Sequence, residues 1–179
     1  MKIRNLFVVA ALLMMFSCTE RHINPLIQNL NDSWNVTTDT LDINMQVDVP
    51  SVIIADMYEN GLIPHPYYSD VEPSLQWIPQ REWDYTLTFD ANEDIMGEDV
   101  IELVFEGLDT YADVWLNGKH LFYADNMFKQ WTCDVEDVLK AKNNTIKVKF
   151  YTFDKVRDSL IETYPLRFPE KYAVMRKSA

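Results

Sequence analysis

An all-β sandwich of the jelly-roll kind is the fold class this sequence predicts. Three observations carry it: short stretches in which apolar and polar residues alternate, an Asn-Gly pair set between two such stretches, and no regular alternation of strand and helix patterns. Successive side chains of a strand point to opposite faces, so a period of two gives one face to a core and the other to water.

The ordered domain is expected to begin near Trp34. Leu41, Ile43, Met45, Val47 and Val49 alternate with Asp42, Asn44, Gln46 and Asp48, which predicts a strand over 41–49. Pro50 ends it, and Ser51 is placed to cap a short helix over 52–60 that Gly61 terminates in a left-handed conformation. Between 62 and 79 stand Pro64, Pro66, Pro73 and Pro79, so a long surface loop without regular structure is expected there.

Strand patterns dominate the second half. Trp83, Tyr85, Leu87 and Phe89 alternate with Asp84, Thr86 and Thr88, and Ile101, Leu103 and Phe105 alternate with Glu102 and Glu106, with Val104 adding an apolar residue on the other face. Residues 111–116, the pair Asn117-Gly118 and residues 120–123 predict a hairpin, because Asn-Gly suits the two positive φ angles of a type I′ turn. Asp134 is positioned to cap a helix of one to two turns through Leu139. A last strand is expected over 145–150, with Ile146, Val148 and Phe150 on one face and Lys147 and Lys149 on the other.

Length and composition limit what this chain can be. With 179 residues there is room for one domain, and 47% hydrophobic with 25% charged residues is the make-up of a packed globular chain, not a disordered one. Lys2 and Arg4 precede an apolar run from Leu6 to Phe16, too short for a bilayer span of about twenty residues, so residues 1–18 are expected to be a secretory leader. A small residue before Cys18 at the end of that run resembles a lipoprotein processing site, with Cys18 lipidated and residues 19–33 serving as a tether. The expected location is periplasmic or on the cell surface, with the membrane reached only through the lipid anchor.

Without Lys2 and Arg4, 14 basic side chains face 28 acidic ones, a net charge of −14. That balance argues against nucleic acid, whose binding needs a Lys/Arg footprint, and suits a neutral ligand such as a sugar. The two cysteines, Cys18 and Cys133, and the scattered His22, His65 and His120 supply neither a disulfide framework nor metal-ligand spacing, and Cys133 reads as a small core residue. Four glycines in no cluster make no phosphate-binding loop. No metal or cofactor is expected.

A sugar offers an apolar face and a rim of hydroxyls, so its site needs flat rings beside polar groups. Tyr67, Tyr68 and Trp77, with Asp70 and Glu72 in the same proline-rich loop, fit that description by residue type, while packing of these rings within the loop or against a neighbouring domain is the competing reading. Asn126, Met127, Phe128 and Trp131 form a second polar-aromatic group that core packing explains more simply, with Asn126 bonding nearby backbone. Two carboxylate pairs, Glu82 with Asp84 and Asp109 with Asp113, could be offered for acid-base chemistry, but their place on and beside strands favours structural roles.

Read in order, Val49-Pro50-Ser51-Val52, Leu62-Ile63-Pro64-His65-Pro66-Tyr67-Tyr68, Leu75-Gln76-Trp77-Ile78, Glu82-Trp83-Asp84-Tyr85, the stretch from Phe105 through Glu106-Gly107-Leu108-Asp109-Thr110-Tyr111-Ala112-Asp113 to Gly118, and Asp125-Asn126-Met127-Phe128 resemble successive blocks of the β-mannosidases of glycoside hydrolase family 2. The resemblance implies a galactose-binding-like jelly roll over 34–179, standing at the head of a longer enzyme that removes terminal β-linked mannose with retention of configuration. In that family both catalytic Glu residues lie on a later (β/α)8 barrel, so no residue here inherits a catalytic role. The family also leads to closing strands and a Trp-Asp-Trp-Gly stretch beyond the position of Ala179, so the resemblance implies a sandwich that is C-terminally incomplete and marginally stable alone. A non-catalytic sugar-binding-type domain that works beside a downstream catalytic domain, with an oligosaccharide or mannoside as ligand, is therefore the expected function. A stand-alone, lipid-anchored carbohydrate-binding module is the alternative.

Overall fold

The computed structural model describes residues 25–163 apart from 40 and 69. Cys18, His22 and the expected leader lie outside the described residues. In chain order the elements are β1 (Trp34–Thr38), β2 (Asn44–Val47), helix α1 (Ile53–Glu59), the single turn α2 (Glu72–Leu75), β3 (Trp83–Phe89), β4 (Glu102–Phe105), β5 (Ala112–Leu116), β6 (Lys119–Ala124), β7 (Trp131–Asp134), β8 (Asn144–Phe150) and helix α3 (Phe153–Thr163). Short 3-10 turns sit at Ile78–Gln80 and Ile95–Gly97.

Six strands form one antiparallel sheet in the order β2-β1-β3-β8-β5-β6, and β4 pairs with β7 in a second sheet. The all-β sandwich predicted from the sequence is therefore the fold found. Val36, Leu87, Val114, Leu116, Ile146 and Val148 point inward from the large sheet, and Leu103, Phe105 and Trp131 from the small sheet pack against this core. Each fully buried Val, Leu or Ile contributes roughly 1.5–3 kcal/mol of transfer free energy. The residues between them along β8, Lys147 and Lys149, face the other way, as the period of two requires.

The hairpin forms as its turn chemistry predicts, with φ of 52° at Asn117 and 82° at Gly118. Gly61 likewise closes α1 at φ 70°, and the Leu62 N–H returns to the Met57 carbonyl at 2.8 Å.

Several local expectations are corrected. Val52, not Ser51, occupies the cap position of α1, because the helix starts one residue later at Ile53, and a valine side chain has no oxygen with which to make a cap bond. The stretch over 62–79 is not free of regular structure: Pro73 sits in the first turn of α2, where its missing N–H costs nothing, and Leu75 and Ile78 drop into the core. After Asp134 the chain makes one turn and no helix. The Asp134 carboxylate accepts the Glu136 N–H at 3.0 Å and the Leu139 N–H meets the Val135 carbonyl at 2.8 Å, after which the chain turns into β8. The strand expected over 41–49 shortens to Asn44–Val47, and β1, β7 and α3 are elements that the local sequence pattern does not announce. Cys133 is half-buried on β7, opposite Leu103. Within the stretch expected as a tether, the Gln28 side chain donates to the Asp90 carbonyl and accepts from the Asn92 N–H, both at 2.8 Å, while Leu30 packs on the core.

Candidate functional site

The proline-rich loop is folded around His65. Its Nδ1 accepts the Tyr67 N–H at 3.3 Å, its carbonyl accepts the Tyr68 N–H at 3.2 Å, and its ring lies edge-on to Tyr58 at 5.0 Å between centroids. This arrangement displays the two tyrosines, with Tyr67 91% and Tyr68 73% exposed. Trp77 instead leans on the core, so the three rings do not make one exposed platform. In the second polar-aromatic group Asn126 does bond backbone, accepting the Phe128 N–H at 2.9 Å, and Trp131 stacks on Phe122. Phe128 departs from the core-packing expectation at 88% exposed, because it sits on the tip of the 125–130 turn rather than on a strand.

A more organised constellation stands on the outer face of the large sheet. The alternate residues Thr145, Lys147, Lys149 and Tyr151 of β8 and its extension line an open groove of about 550 Å³, with Trp115 and Gly118 on one side and Lys155 of α3 at one end. Trp115 and Lys147 are cross-strand partners, as are Asp113 and Lys149, and on the other flank Asp84 pairs with Lys149. A β-bulge in β6 leaves Leu121 without a partner and sets His120 opposite Trp115. His120 thereby reaches Asp113, with Nε2 to Oδ1 at 2.5 Å, and its ring lies edge-on to Trp115 at 5.4 Å.

Every carboxylate around the groove is engaged. Lys149 and Lys155 hold the two oxygens of Glu82 at 2.8 and 2.5 Å, Lys147 holds Asp84 at 3.0 Å, and the Tyr151 hydroxyl donates to Asp113 at 2.8 Å. Burial pushes the Glu82 carboxyl up, but the hydrogen bonds and charges of Lys149 and Lys155 outweigh it and hold it below the usual range. Burial, followed by donation to Asp113, pushes the Tyr151 hydroxyl up, so it stays protonated and keeps donating. The Lys155 ammonium lies 4.7 Å from the Tyr151 ring centroid.

A retaining glycosidase needs one carboxylic acid that stays protonated and a carboxylate nucleophile about 5 Å away. Glu82 and Asp84 are instead tied to lysines as anions, and Asp113 is taken by His120 and Tyr151. The structural role expected for Glu82, Asp84 and Asp113 is what these contacts give. Among the described residues no group of three His, Cys, Asp or Glu side chains is arranged to hold a metal ion. This groove is not legible in the sequence taken segment by segment. The only local signal was the Thr145, Lys147, Lys149, Tyr151 alternation; its partners come from β3, β5, β6 and α3, and the bulge that admits His120 has no signature in the chain.

Comparison with known proteins adds the following. Residues 33–179 match the family described as "Glycosyl hydrolase 2 galactose-binding domain-like". A protein named probable beta-mannosidase from Caenorhabditis elegans is 26% identical over 163 residues, which are 90% of this chain and 18% of that protein. Beta-mannosidase A of Emericella nidulans is 37% identical over 108 residues, 60% of this chain and 11% of its own length. In the crystal structure of the β-D-mannosidase from Dictyoglomus thermophilum, 17% of the chain superposes on 76% of this one with a TM-score of 0.72 and 31% identity. The chain thus spans under a fifth of the length of these relatives.

Proposed function

Because this chain belongs to the family of glycosyl hydrolase 2 galactose-binding-like domains, we propose that it serves as the non-catalytic, sugar-facing N-terminal domain of a β-mannosidase-like glycoside hydrolase. The observation that carries the non-catalytic part is the state of Glu82, a carboxylate clamped between two ammonium groups and so unfit to act as a proton donor. The rings and paired polar groups of the outer face and of the proline-rich loop support a surface that meets carbohydrate, and a neutral mannoside suits a chain of net charge −12. Bond cleavage then belongs to a separate catalytic domain. The test is an assay of the purified chain with p-nitrophenyl β-mannoside. Release no faster than in buffer is expected, and release that survives repurification and falls in Glu82→Gln would overturn the proposal.

A second reading, a lipid-anchored carbohydrate-binding module, is favoured by Tyr67 and Tyr68, whose rings are displayed to solvent beside one another. Mass spectrometry of the mature N-terminus checks its anchor: a diacylglycerol adduct on Cys18 is expected, and an unmodified N-terminus removes it.

A further inference from the structure

We propose that the groove along β8 is a binding site for a neutral oligosaccharide of several rings. The inference rests on the sugar-facing role proposed above and adds the ligand class and its location.

Length is the first argument. Thr145, Lys147, Lys149 and Tyr151 fall on one face at every second position, and at roughly 3.3 Å per residue they span about 20 Å. That is the reach of an oligosaccharide and not of a single sugar.

Charge is the second. Three ammonium groups, Lys147, Lys149 and Lys155, stand among three carboxylates, Glu82, Asp84 and Asp113, and they are paired as described. The three ammonium groups balance the three carboxylates, so an ionic ligand would bring a charge whose natural counterparts are already paired, whereas a polyol brings none. Pairing does not exhaust the lysines. An ammonium group carries three N–H donors, and the ion pair holding Lys147 uses one of them. The remaining donors, with the Thr145 hydroxyl, face hydroxyl oxygens of a bound chain. Trp115, fixed edge-on against His120, supplies an apolar surface for a pyranose face.

Calorimetric titration of the full chain with mannotetraose, mannose and tetragalacturonate tests this. Mannotetraose is expected to bind about tenfold more tightly than mannose and more tightly than tetragalacturonate, with saturation below roughly 10 mM. Lys155→Ala, a change at an exposed position of α3, is expected to weaken mannotetraose about threefold, and Trp115→Leu about tenfold. Melting curves identify any variant that fails to fold, and Lys155→Ala then decides alone. Failure of mannotetraose to saturate, tighter binding of tetragalacturonate, or binding unchanged in the folded variants would overturn the assignment. None of these outcomes touches the hydrolysis assay above, so the two proposals fail separately.

Discussion

The Asn117 side chain donates to the Asn144 side-chain oxygen at 2.9 Å, joining the hairpin turn to the first residue of β8. Every side-chain oxygen and nitrogen of the pair has a partner. Asn117 also donates to the Val138 carbonyl and accepts the Thr145 N–H, while Asn144 accepts the Lys140 N–H and donates to the Lys140 carbonyl. Asn144 is wholly buried, so its polar atoms have no water to fall back on. Asn144→Ala strips several of these bonds at once and leaves the Lys140 and Asn117 groups unpaired, an expected loss of about 2–4 kcal/mol. For a domain of this size that is a fall in Tm of roughly 4–16 °C, read by calorimetry.

Glu82 gives stability an acid-sensitive part. Its folded carboxyl lies below the usual range on balance, because Lys149 and Lys155 outweigh burial. A depressed carboxyl contributes stability that is present above its unfolded pKa and lost as pH falls through the folded value. The Glu82 contribution is therefore expected to be intact at neutral pH and to disappear below about pH 4. Glu82→Gln should cost about 1 kcal/mol at pH 7 and nothing at pH 2, as denaturant titrations at the two pH values would show.

Much of the sandwich could be read from the sequence, where strand and turn chemistry agree locally. The alternation over 83–89 and 145–150 reappears as β3 and β8, and Asn117-Gly118 sets the hairpin between β5 and β6. What failed was set by tertiary contact. Four prolines marked 62–79 as irregular, yet Leu75 and Ile78 have a core to enter and carry short helical turns with them. Trp131–Asp134 is a strand because Phe105–Glu102 lies opposite, a pairing nearly thirty residues away that no local pattern announces. Of the candidate site, the exposed Tyr67 and Tyr68 are legible from their residue type and their proline-rich surroundings, whereas the β8 groove depends on residues from separate elements.

Asp56 acts in the opposite sense to Glu82. The residue is 7% exposed in α1, and its Oδ2 has no hydrogen-bond partner. Burial raises its carboxyl most, and the Glu59 charge adds to the rise, while the Ser51 hydroxyl opposes it. With the folded value above the unfolded 3.8, the native state binds more protons between the two, so this group erodes stability as pH rises through that window. Asp56→Asn is expected to stabilise the protein at pH 7 by about 1 kcal/mol and to give no gain at pH 3. Thermal melts of the two proteins at both pH values check the sign.

Trp131 and Phe122 hold the two sheets together at one side. Their rings stack at 5.3 Å with 5° between planes, and Phe122 is also edge-on to Phe105 at 5.9 Å, so three aromatics from β7, β6 and β4 bridge the sandwich. Lys129 covers the open side of the indole, its ammonium 4.0 Å from the ring centroid. Trp131→Ala removes the stack, the cation contact and a half-buried indole together, an expected cost of about 2–4 kcal/mol. Lys129→Ala removes only the cation and should cost about 0.5 kcal/mol. If Trp131 served a ligand and not the sandwich, Trp131→Ala would leave the melting temperature unchanged; a fall several times larger than that of Lys129→Ala assigns it to the join between the sheets.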